Sequence, residues 1–145
     1  MADRNRAHRA ALLHCRHQLA LQVSLKAYAS AVRWNDFETA YASTDPTLRA
    51  TEGFTENDEA YYKRFQISGY SLKSSAFADP QTYNQRVELR IIDVASQTER
   101  THIDRQSWRW DPAMRATPYA RPPVRTPIRS ATTQTATDSS TALSA

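Results

Sequence analysis

Apolar residues along this chain recur first at helical spacing and later at a period of two. From about Leu19 to Trp34, Leu21, Leu25, Tyr28 and Val32 follow one another at steps of four, three and four. That spacing lays a single stripe along a helix. Lys26 and Arg33 fall off the stripe. Asn35 with Glu38 three residues on has the form of an N-cap and its capping-box partner. It predicts a second, short helix with Phe37, Ala40 and Tyr41 on its apolar face. Asp45-Pro46 ends that helix, because proline has no backbone N–H and biases the residue before it away from helix. Thr55 with Asp58 marks the start of a third, brief helix through Ala60-Tyr61-Tyr62.

The period then becomes two. Phe65 and Ile67 alternate with Gln66 and Ser68, and Tyr70 and Leu72 take up the opposite parity. Gly69 stands at the slip, as expected for a bulge or sharp bend. Ala78-Asp79-Pro80-Gln81 is a turn. Tyr83 to Val94 is the clearest strand, with Val87, Leu89 and Ile91 on one side and Arg86, Glu88 and Arg90 on the other. One face of such a strand lies on a core and the other in water. Ala95 to Glu99 is a polar break of hairpin length. The return strand begins near Arg100 and runs through Ile103 to Trp108 and Trp110, with a second slip in parity between them. Helices followed by a meander read as an α+β fold, with the helices packed on one face of a curved antiparallel sheet.

The two ends lack this patterning. Residues 1–18 are polar and arginine-rich, and read as a basic, unpatterned arm before a domain spanning 19–115. Residues 116–145 hold 7 Thr, 6 Ala, 4 Ser and 4 Pro. So few large apolar side chains cannot offset chain entropy, and the composition predicts disorder.

Three segments sharpen the fold: Tyr28-Ala29-Ser30-Ala31-Val32-Arg33-Trp34-Asn35-Asp36-Phe37, Phe65-Gln66-Ile67-Ser68-Gly69-Tyr70 and Trp108-Arg109-Trp110-Asp111-Pro112. Together with the element order they resemble a group of small proteobacterial envelope proteins, many of them lipoproteins, with a cystatin-like or NTF2-like architecture. The resemblance covers about residues 25–115 and rests on structural aromatics. It implies a fold and an envelope location, and carries over no active-site residue. Members of the group begin with an apolar signal ending in a cysteine and continue past the tryptophan pair into a further strand. Here Leu12-Leu13-His14-Cys15 places His14 where a small residue is needed, and the chain passes into the Arg/Pro/Thr/Ala/Ser tail. The second departure predicts a sheet lacking its last strand and a shift of reading frame just after Met114 or Arg115, and the first a further shift upstream of Leu25.

Charge changes the picture when it is mapped. Residues 1–26 carry five basic and one acidic side chain, residues 27–115 carry 11 and 13, and residues 116–145 carry three and one. The net +4 therefore belongs to the ends. A nucleic-acid-binding protein with basic arms is one reading, although such a protein normally shows basic residues on its folded surface as well. With only Gly53 and Gly69, no glycine-rich phosphate cradle is encoded. The single cysteine, Cys15, forms no intramolecular disulfide. His14-Cys15-Arg16-His17 is too crowded and too poor in ligands to predict a metal site, and no cofactor is expected. No run of about 18 apolar residues occurs, so no membrane-spanning helix is predicted.

Two candidate sites follow. His102, Asp104 and Gln106 share one strand face with Trp108 and Trp110. On a concave face, His102 and Asp104 form a candidate acid–base pair for a small NTF2-like enzyme, with Tyr28 and Asp36 as further lining. On an outer face they would be solvated, which is the expected placement. Trp34, Trp108 and Trp110 form a candidate binding platform, although buried tryptophans are the rule in a small core. The unpaired edge at residues 100–110 invites strand addition from a protein partner. The leading expectation is a small non-enzymatic envelope protein that binds a ligand or a protein.

Overall fold

The computed structural model describes the backbone of residues 2–51, 53–113 and 119–120, and the side chains of 5–51 and 53–113. The order is α1 (Ala2–Arg33), α2 (Phe37–Ala42), α3 (Pro46–Thr51), α4 (Glu56–Tyr62), β1 (Phe65–Asp79), β2 (Thr82–Asp93), β3 (Thr98–Trp110) and β4 (Tyr119–Ala120). The strands form one antiparallel meander in the order β1-β2-β3-β4. The fold is α+β, as the change of period predicts.

Helix α1 begins at Ala2, so the expected unpatterned arm is helical. Residues 2–33 contain no glycine or proline and are rich in Ala, Leu and Arg, all good helix formers. What this segment lacks is a buried face: no described side chain before His17 is buried. From Leu21 onward the predicted stripe is inside. Leu21, Tyr28, Ala31 and Val32 join Ala40, Ile67, Val87, Leu89, Ile91 and Trp108 in one core.

Asn35 terminates α1 rather than capping α2. It adopts φ 59°, a left-handed conformation that asparagine tolerates better than most residues. The Asn35 N–H donates to Val32 O at 3.1 Å and the Asp36 N–H to Ala31 O at 2.8 Å, the paired bonds of a Schellman ending. Its side chain then joins helix to sheet: Nδ2 donates to Phe65 O at 3.0 Å, and Oδ1 accepts from the Ile67 N–H at 3.1 Å. The N-cap of α2 is Asp36, which accepts from the Thr39 N–H. Helix α3 is an unanticipated element. Pro46, read as a terminator, occupies its first position, where a missing N–H costs nothing. Asp45 accepts from the Thr47 N–H before it. The predicted Thr55–Asp58 capping box opens α4.

Strand β1 carries three register irregularities, the first between Ile67 and Gly69. There Ser68 is the extra residue, and the bulge turns Tyr70 toward the helix-covered face. The Arg90 guanidinium lies over Gly69, so that a Cβ there would displace the end of that side chain. Strands β2 and β3 pair without interruption. The expected slip in β3 is therefore absent: Ile103 points outward, and His102, Asp104, Gln106 and Trp108 share the inner face. A short fourth strand, β4, pairs with Arg109 and Trp110. The expected tail disorder and frame shift otherwise lie outside the described residues.

Candidate functional site

Helix α1 crosses the inner face of the sheet without covering it, and a cleft of about 400 Å³ opens along one flank. Lys26, Ser30, Arg33 and Trp34 line its helical wall, and Tyr70, Leu72, Tyr83 and Gln85 its sheet wall. Each wall follows from local structure. The helical residues fall on the α1 surface beside the core stripe. Tyr70 is delivered by the β1 bulge, while Gln85 shares the inward parity of Val87, Leu89 and Ile91 on β2.

A connected polar layer backs the cleft. Gln85 Nε2 donates to Gln106 Oε1 at 2.6 Å, and Trp108 Nε1 donates to the same oxygen at 3.2 Å. Gln106 Nε2 donates to Asp104 Oδ2 at 2.7 Å and reaches the Tyr70 hydroxyl at 3.3 Å. Buried amides and carboxyls are tolerable only when hydrogen-bonded, and this layer supplies those bonds inside an apolar core. Burial pushes the Asp104 carboxyl up to about 6, against the opposing effect of its bond from Gln106. Burial also raises Tyr70, with the Gln106 hydrogen bond acting in the opposite direction.

Cations border the opening. The Arg33 guanidinium donates to Tyr70 O at 3.3 Å and sits 5.5 Å from the centre of its ring. That bond occupies one of five guanidinium donors. Lys26 lies along the same wall, and among the described residues none that lines the cleft is acidic. Trp34, at the end of α1, is 82% exposed.

The three candidate tryptophans therefore separate. Trp34 is available at the cleft. Trp108 is 0% exposed, edge-on to Tyr28 at 5.5 Å, and belongs to the core rather than to a binding surface. Trp110 is covered by the His17 ring, stacked at 3.8 Å. His102 and Asp104 lie on the inner face, not the solvated one expected for them. Burial alone shifts His102, lowering its pKa, whereas an effective carboxylate partner would raise it. Neither residue lines the cleft. Tyr28 is core, and Asp36 is an exposed helix cap whose carboxyl is lowered by its Thr39 hydrogen bonds. Sequence reasoning missed Tyr70, Gln85, Lys26 and Arg33 as a group. The available signal was Gln85 itself, a polar residue in phase with three buried aliphatics.

On the outer face, Arg86 stands directly opposite Arg105, in a shallow depression shared with Ser74, Asn84 and Ser107. Among the described residues no group of three His, Cys, Asp or Glu side chains could hold a metal ion. Cys15 is exposed. Among the described residues, no helix is long and apolar enough to cross a membrane. The chain matches no protein-family model, no curated protein and no solved structure.

Proposed function

We propose that the protein is a non-enzymatic binding module whose cleft takes a small amphipathic anion. The observation that carries this reading is a cleft with Lys26 and Arg33 at its rim, no acidic lining residue among those described, and an exposed Trp34 beside it. Its volume falls in the ordinary range for small-molecule sites, roughly 300–1,000 Å³. Leu25, Leu72, Tyr83 and Trp34 offer apolar surface to the body of a ligand. Gln85 and Tyr70 also line the cleft, and their hydrogen bonds to Gln106 already hold both side chains in place, which lowers the ordering cost of binding. In the same reading the module has a cystatin-like or NTF2-like arrangement and resides in the bacterial envelope, as the resemblance of residues 25–115 implies.

Decanoate is a suitable first probe, titrated calorimetrically against the full chain. One decanoate should bind per chain, and Arg33→Gln combined with Lys26→Gln should weaken binding about tenfold or more. Absence of saturable binding by decanoate and by an aromatic carboxylate such as naphthoate would refute the proposal. A second reading, acid–base catalysis by Asp104 with His102, is favoured by one observation: a carboxyl held near neutrality inside the fold. It requires a route for substrate to a side chain that is 2% exposed. Solvent exchange at the Gln106 side-chain amide, followed by NMR, tests for such a route.

A further inference from the structure

Helix α1 is apolar on two opposite sides. One is the stripe of Leu21, Tyr28 and Val32 in the core. The other faces away from the body. At 100° per residue, Leu12, Leu19, Val23 and Trp34 lie within about 60° of arc, on the side opposite that stripe. All four are more than half exposed, Leu19 at 63% and Val23 at 59%. Arg16 lies at the edge of this strip in line with Trp34, Arg9 just beyond that edge and Lys26 on the other side, and all three are exposed. Residues 4–34 contain no aspartate or glutamate. The strip from Leu12 to Trp34 is about 33 Å long at 1.5 Å per residue.

We propose that this outward face seats the protein on an anionic lipid bilayer, with α1 lying in the plane of the interface. A surface helix of this kind sinks its apolar side chains to the depth of the headgroups, while flanking cations meet anionic lipids. Trp34 suits that boundary, since its ring is apolar at one end and polar at the other. Lys26 has a long stem that lets its charge reach the headgroups. The charge pattern decides against a second copy of the chain, because a two-fold pairing of this face would bring its cations against one another. It also disfavours a nucleic acid, which would leave Leu12, Leu19 and Val23 uncovered. Trp34 and Lys26 also line the cleft, whereas Leu12, Leu19, Val23, Arg9 and Arg16 do not, so variants at those five positions test this face separately from the cleft.

The test is co-sedimentation of the full chain with vesicles of phosphatidylcholine alone or with one part in three phosphatidylglycerol. Binding should require phosphatidylglycerol and weaken as salt is raised. At about 1 kcal/mol per cation near the surface, Arg9→Gln with Arg16→Gln should reduce the partition coefficient about thirtyfold. Leu19→Asp with Val23→Asp should abolish partition. These positions are exposed, so the far-UV circular dichroism of the variants should match the parent, with Leu19→Ser and Val23→Ser as milder replacements. No partition into anionic vesicles, or partition unaffected by the Leu19/Val23 variants, overturns the proposal. So does a dimer in sedimentation equilibrium that Leu19→Asp disperses, or salt-sensitive RNA binding that Leu19→Asp leaves intact.

Discussion

Replacing Asp104 by asparagine tests the buried polar layer with the least disturbance of shape. Asp104 is 2% exposed and its carboxyl is raised from 3.8 to about 6. In the folded chain the proton is therefore held over a pH range where the unfolded chain releases it. The sign follows from proton linkage: between 3.8 and about 6 the native state binds more protons, so stability from this group falls as pH rises through that window. Two pH units at about 1.4 kcal/mol each give a penalty of roughly 3 kcal/mol at neutral pH, taken as an upper limit. Asparagine keeps an oxygen to accept from Gln106 and carries no charge. The variant should then be more stable than the parent at pH 8, by up to about 3 kcal/mol. The advantage should vanish near pH 4. Urea unfolding of both chains at intervals from pH 4.5 to 8 measures the difference directly. Subtracting the two curves removes His102, whose lowered pKa makes stability rise with pH and so acts with the opposite sign. A difference that does not change with pH, or an asparagine variant that loses ground as pH rises, would refute the account of Asp104 as a carboxyl penalised by burial.

Other outcomes follow from single contacts. Asn35→Ala removes both side-chain bonds to β1 and places a Cβ-bearing residue with little tolerance for φ 59° at the end of α1, so it should cost about 2–3 kcal/mol in urea unfolding. Asn35→Gly keeps the turn and should cost about 1 kcal/mol, so the two variants separate backbone from side chain. Arg105→Glu converts a like-charge pair with Arg86 into an attractive one and should raise stability by roughly 0.5 kcal/mol, an effect that salt diminishes. Trp34→Ala, at an 82% exposed position, should change the thermal midpoint by no more than about 2 °C while weakening decanoate binding.

The core was legible where burial follows a simple period. Leu21, Tyr28 and Val32 on α1 and Val87, Leu89 and Ile91 on β2 are the inward residues that spacing indicates. The Thr55–Asp58 cap and the turn at Pro80-Gln81 were legible because each is a local structure, made by residues within three positions of one another. Period failed at β3. Its inner face carries His102, Asp104 and Gln106, so polarity pointed to water where the strand points to the core. Gln106 is bonded there by Gln85 and Tyr70 from other strands, and in turn donates to Asp104. Asn35 was misread for the same reason: its partners, Phe65 and Ile67, lie thirty residues and more away.

The candidate site shows the same division. Trp34, Trp108 and Trp110 are alike in composition, yet one is exposed, one is fully enclosed and one lies under His17. A tryptophan's exposure depends on what packs against it, which residue type and spacing do not record. By itself, the amino-acid sequence determined the order of α2, α4, β1, β2 and β3 after the second half of α1, the α+β class and the apolar stripe that joins them, because backbone propensity and amphipathic period act over a few residues. Tertiary structure alone decided that Gln85, Gln106 and Asp104 meet in one buried layer, and that Lys26 and Arg33 border a cleft with no carboxylate among its described residues. Those outcomes depend on register and on the angle at which α1 crosses the sheet, both set by the packing of surfaces distant in the chain.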